Sequence, residues 1–220
     1  MVDRIPENFR KVQPTATISF DAVDIATGTG TVNFYGSSFD NGDNTQEYVL
    51  TSNIIYSDEV STEGDTVPGE TTDGTSIDLD FDLSAFNLPR SVKGDAIVTI
   101  PWRYEQSPGT QSGQVIVCLN RWDGTTETEF ASGQTTLIEQ AGADAYYLST
   151  IKIPIATAQR FNKGDLLRMS VKGRTTGSGN KKISLAHDPK NRDGEDTSFV
   201  VGTDIDTTTL QTEIPFELNL

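Results

Sequence analysis

The chain has 220 residues, with 32 acidic and 17 basic side chains, one histidine, one cysteine and a net charge of −15 at pH 7. A lone cysteine excludes a disulfide-built scaffold, and no run approaches the ~18 apolar residues of a membrane-crossing helix. An acidic surface repels phosphate, which argues against nucleic acid as a partner, and the length suits one large domain or two small ones, long enough to bury a core without staples.

Residues 1–14 read as an extended arm. Pro6 and Pro14 remove backbone donors and bias the residues before them away from helix. The arm mixes Arg4, Arg10 and Lys11 with the apolar Ile5, Phe9 and Val12. It lacks the apolar core of a secretory signal, so synthesis in a cytoplasm is expected. Residues 15–22 alternate, with Ala16, Ile18, Phe20 and Ala22 on one face, the period-two pattern of a half-buried strand. A turn at 27–30 leads to a strand over 31–35 with Val32 and Phe34 inward. The tip DNGDN at 40–44 precedes a second alternation over 48–56, through Tyr48, Leu50, Ile54 and Tyr56.

Residues 57–76 are acidic and rich in Gly, Ser and Thr, which predicts a long exposed loop. The cleanest strand follows it. Ile77, Leu79, Phe81 and Leu83 point one way; Asp78, Asp80 and Asp82 point the other. Residues 84–93 form a connection with room for one helical turn before Pro89. The next strand, 95–104, carries Val98, Ile100, Trp102 and Tyr104 on one face. Pro101 lacks a ladder donor and argues for an edge or a bulge there. After a turn at 107–109, residues 114–122 return with Val115, Val117 and Leu119 inward, and Cys118 as a small core or half-buried residue. Asp123-Gly124 is a hairpin signal, and short strands are expected near 126–130 and 135–138.

The rest of the chain is arranged around residues 146–172, two strands joined by a tight turn. Tyr147, Ile151, Ile153 and Ile155 share a face of the first; Leu167, Met169 and Val171 share a face of the second. Between them Asn162-Lys163-Gly164-Asp165 supplies the turn, with Gly for φ > 0 and Asp to bond its own backbone. Phe161 is a plug that marks where the second strand begins. Ile183, Leu185 and His187 then share a face, Asp188-Pro189 breaks the strand, and 190–197 is a charged loop. Phe199 and Val201 mark a short strand, and 210–220 alternate to the last residue. About a dozen strand candidates without a long helix indicate an all-β fold. The expected architecture is an antiparallel β-sandwich, jelly-roll-like, over residues 15–220, preceded by the arm.

Catalytic apparatus is short of parts. His187 shares its face with Ile183 and Leu185, which reads as a core histidine. One histidine and one cysteine cannot make a zinc site, and no P-loop, dinucleotide fingerprint or nucleophile elbow is present. No cofactor is expected. Asp78, Asp80 and Asp82, together with DNGDN at 40–44 and TDIDT at 203–207, carry the oxygens that calcium takes, without the spacing of an EF-hand loop. Two carboxylates facing across a cleft would make a glycosidase on the same fold. Trp102, Tyr104, Trp122, Tyr146 and Tyr147 are the aromatics a sugar-stacking platform would need, with Trp122 the most exposed by position. The alternative function is therefore a carbohydrate-binding or receptor-binding β-sandwich module.

The segment TISFDAVDIATGTGTVNFYG (17–36), the HDP at 187–189 and TEIPFELNL (212–220) resemble β-sandwich structural and decoration proteins of tailed viruses of microbes. The residues that carry the resemblance are Asp24-Ile25, Gly28-Thr29-Gly30, Tyr35-Gly36, Lys163-Gly164-Asp165 and Ile214-Pro215-Phe216. The acidic run 57–76 has no counterpart in that pattern. The resemblance implies a non-enzymatic virion protein, an outer decoration or cement protein of a capsid. On that expectation a homotrimer sits on the major capsid protein, docks through Arg4, Ile5, Phe9, Arg10 and Lys11, and turns its acidic loops to solvent. Its place would be the capsid exterior, after synthesis in the host cytoplasm, with no membrane or nucleic-acid partner.

Overall fold

The structure, a computed structural model, describes residues 29–40, 42, 45–68, 73–106, 110–141, 144–194 and 199–217. The predicted arm at 1–14, the strand at 15–22 and most of the 40–44 tip lie outside these residues. The described chain is all-β. Its twelve strands are β1 (Thr29–Asp40), β2 (Gln46–Thr51), β3 (Ser61–Glu63), β4 (Asp73–Leu83), β5 (Arg90–Gln106), β6 (Thr110–Trp122), β7 (Glu127–Gln134), β8 (Ile138–Ala141), β9 (Ala145–Phe161), β10 (Leu166–Gly177), β11 (Lys181–Ala186) and β12 (Gln211–Glu217).

One hydrogen-bonded ribbon runs β3-β11-β5-β12-β1-β2-β4-β10-β6-β7, with β8 also on β6 and β9 on the other flank of β5. The ribbon folds over on itself into a β-sandwich of jelly-roll-like build. Two glycines show how closely its layers meet. A Cβ on Gly173 of β10 would lie 2.7 Å from Ile77 of β4 and 2.8 Å from Ile183 of the facing β11. A Cβ on Gly133 of β7 would lie 2.8 Å from Ile151 of β9 and 3.1 Å from the Lys152 carbonyl oxygen. Ladders between the named strands are antiparallel, with one exception: β2 and β4 pair in parallel through Tyr48–Phe81, Val49–Asp82 and Leu50–Leu83.

Alternation decides the core. Val98, Ile100, Trp102 and Tyr104 of β5 are buried, as are Ile77, Leu79, Phe81 and Leu83 of β4. Val115, Val117 and Leu119 of β6, Ile151, Ile153 and Ile155 of β9, and Leu167, Met169 and Val171 of β10 join them in one contiguous cluster. Full burial of such a side chain contributes roughly 1.5–3 kcal/mol.

Four local expectations are corrected. The second alternation stops at Thr51, whose hydroxyl bonds the Asn53 carbonyl at 2.9 Å, and Ile54 and Tyr56 are exposed. The run 57–76 is not a free loop. Val60 and Val67 are its only large aliphatic side chains, and both are buried. Between them β3 pairs with β11, and Val67 bridges to Lys181. Residues 84–89 contain no helical turn. Pro101 is neither at an edge nor at a bulge: β5 pairs with β9 along one flank, and Pro101 lies at the seam on the other, where the β12 register ends at Thr99 and the β11 register begins at Trp102.

The two strands of 146–172 hold a further surprise. β9 and β10 do not pair with each other. β9 pairs with β5, and β10 lies between β4 and β6. The Asn162–Asp165 turn is thus a corner that carries the chain from one layer to the other. Phe161 fills it, fully buried against Phe86 at 5.1 Å and Phe130 at 5.8 Å between ring centroids. Gly164 has φ +96°. Asp165 accepts the Asn162 N–H at 2.8 Å, and its carbonyl accepts the Phe86 N–H at 2.8 Å.

Gly173→Val should destabilise the fold by about 2–3 kcal/mol, because the new methyls have no room between β4 and β11. Urea unfolding would show a lower midpoint with an unchanged slope; an unchanged midpoint would contradict the packing of these two layers.

Candidate functional site

The acidic stripe of β4 was the strongest charged feature of the sequence. Register places its partners. On β10, Arg168 stands opposite Asp82, Ser170 opposite Asp80 and Lys172 opposite Asp78. Arg168 grips Asp82 through two bonds, Nε to Oδ1 at 2.7 Å and Nη2 to Oδ2 at 2.9 Å. It also donates to Glu127 of β7 at 2.7 Å, and its guanidinium lies 5.2 Å from the centre of the Trp122 ring. Ser170 donates to Asp80 at 2.5 Å and accepts from Asn120 of β6 at 2.9 Å. Lys172 pairs with Asp78 at 3.2 Å, and at the far end of the ladder Arg174 pairs with Asp73. The Asp82 bonds raise the Arg168 pKa.

Opposite charges directly across a ladder are worth roughly 0.2–1 kcal/mol each, more for a bidentate arginine. The stripe therefore stabilises the sheet. Among the described residues, no cluster of three or more His, Cys, Asp or Glu side chains is placed to hold a metal ion. In TDIDT, Asp204 accepts the Val200 N–H at 3.2 Å. A shallow hollow of about 200 Å³ lies over Tyr146, Leu148 and residues 202–206. The basic and apolar arm residues Arg4, Ile5, Phe9, Arg10 and Lys11 lie outside the described residues.

The five aromatics do not make a platform. Trp102 and Tyr104 are fully buried, and burial pushes the Tyr104 hydroxyl up to about 12. Trp102 donates to Ser149 at 2.9 Å and stacks on Tyr147 at 4.7 Å. Tyr146 packs against Phe199 with Arg103 over its ring. Trp122, expected to be exposed, is half-buried beneath Arg168. Cys118 is buried, and burial, followed by its bond to Glu129, pushes its thiol up to about 11.

His187 is a core residue, as its phase implied, but it does more than fill space. It is fully buried, and its ring meets Tyr48 at 5.5 Å and Phe81 at 5.9 Å edge-on. Nε2 lies 2.8 Å from the Thr62 hydroxyl, which bonds the Tyr48 hydroxyl at 3.0 Å. Its own N–H donates to the Val60 carbonyl at 2.9 Å. The histidine thus ties β3, β2 and β11 together. Burial lowers its pKa to about 4. Asp188, also buried, accepts the N–H groups of Lys190 at 3.2 Å and Arg192 at 3.0 Å. The Arg192 guanidinium bonds Asp188 at 2.8 Å and the Ser57 carbonyl at 2.5 Å, and covers the Tyr56 ring at 4.0 Å. Sequence reading found the strand break here but missed the staple, because its two ends are 135 residues apart.

A second hollow, about 350 Å³, opens between β3 and β4. It is lined by residues 62–65 and 75–79. Within this lining Gly64 donates to the Ile183 carbonyl at 3.0 Å and Asp65 donates to the Ser76 carbonyl at 2.7 Å.

No family model matches the sequence, and no curated protein matches it. Solved structures with partial likeness include a CocE/NonD family hydrolase from Staphylococcus aureus, at 11% identity and TM-score 0.45, covering 83% of this chain and 36% of that one. An α-amino acid ester hydrolase matches at 8% identity and TM-score 0.49, covering 84% and 36%. A carbohydrate-binding module of the β-sandwich superfamily matches at 12% identity and TM-score 0.27, covering 73% and 72%. This chain thus spans little more than a third of either hydrolase, and no functional argument follows from likeness at these scores.

Two outcomes test the site. A double-mutant cycle of Arg168→Met and Asp82→Asn should give a coupling of about 1 kcal/mol in urea unfolding, falling as salt is raised; zero coupling would remove the ladder's energetic role. His187 binds its proton more weakly folded than unfolded. Its contribution is therefore present above pH ~6.5 and is lost as pH falls towards 4, by ~3 kcal/mol in all. Stability measured from pH 7 to 4 should fall less steeply in His187→Gln than in the wild type; parallel profiles would refute this.

Proposed function

We propose that the protein is a non-enzymatic virion component, a capsid-surface decoration or cement protein that binds the major capsid protein as a homotrimer. What supports the reading is the use made of its polar groups. The acids and bases of the β4–β10–β6–β7 face neutralise one another across ladders, and the one histidine is buried in a structural network. Such a surface suits contact rather than chemistry. The sequence resemblance to tailed-virus structural proteins points the same way.

The arm supplies the attachment. Arg4, Arg10 and Lys11 are the only basic side chains before Arg90, and they stand beside Ile5 and Phe9. The remaining acidic surface would face solvent and keep one trimer from another. An interface of ~800 Å² per partner is enough for stable attachment.

Deleting residues 1–14 should abolish co-sedimentation with purified capsids and leave the unfolding midpoint unchanged. Equal binding by the truncated chain would count against the arm. Light scattering of the free protein should return three times the chain mass, and a monomer would sink the trimer.

A further inference from the structure

The strand β4 is long, and one of its flanks is only partly used. β10 covers the other flank from Asp73 to Asp82. On the free side β2 reaches only Phe81, Asp82 and Leu83, and Asp65 takes the Ser76 carbonyl. Between these two contacts, residues 77–80 have no ladder partner among the described residues. Alternate residues of a strand turn N–H and C=O to each flank, so this edge presents backbone groups ready for pairing. It opens into the hollow of about 350 Å³ whose opposite wall is Thr62 and Glu63 of β3. Ile77 and Leu79 form a buried apolar floor, and Glu63, Asp65 and Asp78 stand exposed around it.

We propose that this slot accepts an extended basic segment of a partner protein, which adds as a short strand along residues 77–80 of β4. The backbone edge would supply affinity, and the carboxylates would select the charge. Charge also decides against a second copy of this edge. Residues 16–89 hold fourteen acidic side chains and no basic one, so two such edges would repel. Lys172 and Lys182 already pair with Asp78 and Glu63, while among the described residues no ion pair holds Asp65. Four residues span ~13 Å, so the segment is short: lysine or arginine at alternate positions, with small apolar residues facing the floor. The slot takes up only the reading that this protein works by contact. It stands or falls apart from capsid attachment, which the arm deletion tests.

The experiment uses the full chain and a hexapeptide of alternating lysine and valine, with a glutamate–valine hexapeptide as control. Amide exchange at residues 77–80 should slow at least tenfold with the lysine peptide and not with the control. Asp65→Lys, at an exposed position outside the ladders, should weaken binding at least threefold without moving the unfolding midpoint. Binding without protection at 77–80 would mean mere charge attraction and overturn the proposal, as would no binding. Protection already present in the free chain, and lost when residues 1–28 are deleted, would show that the chain's own N-terminal segment occupies the slot, which also overturns it.

Discussion

Everything in this sandwich is built against β5. It is seventeen residues long and is used on both flanks at once, β9 along one and β12 then β11 along the other. A strand in that position has no free edge, so its inward face must be filled from the layer opposite. Val92, Ala96, Val98, Ile100, Trp102 and Tyr104 are all fully buried there. The Trp102 indole finds Ser149, and the Tyr104 ring lies on Gly113 of β6, where a Cβ would come within 3.1 Å of it. Large rings on one layer and missing side chains on the other are how two pleated surfaces come together without voids.

The second constraint is the corner at 161–165. Two strands in sequence with a four-residue turn ordinarily make a hairpin. Here the connecting segment 84–88 intervenes. Phe86 packs on Phe161 and exchanges backbone bonds with Gly164 and Asp165, and Arg121 lies 3.2 Å from the Asp165 carboxylate. These contacts splay the strands into different layers. β10 is then free to sit between β4 and β6, where its cations meet the acids of β4.

That meeting explains the uneven charge of the chain. Residues 1–89 hold 3 basic and 16 acidic side chains, and residues 90–220 hold 14 and 16. The acidic half contributes β4, the more basic half contributes β10, and register brings them side chain to side chain. The first half would be a poor sheet alone, since like charges along one face repel. The same arithmetic leaves an excess of acid at the rim between β3 and β4, where Asp65 has no ion-pair partner among the described residues.

How much of this was legible beforehand follows from the range of the interactions. Period-two alternation is a property of neighbours, so the all-β class, the inward faces of β4, β5, β6, β9 and β10, the buried His187 and the Phe161 plug could all be read from the chain. Which strand lies beside which is not a local property. The crossing of β9 to β10 depends on Phe86, some 75 residues earlier, and the Arg168–Asp82 pair spans 86 residues. Val60 and Val67 sit in a run so polar that only the folded structure shows them buried. Sequence alone determined the side each residue presents; tertiary structure decided its partner, because backbone geometry sets the first and only the closing of distant strands sets the second.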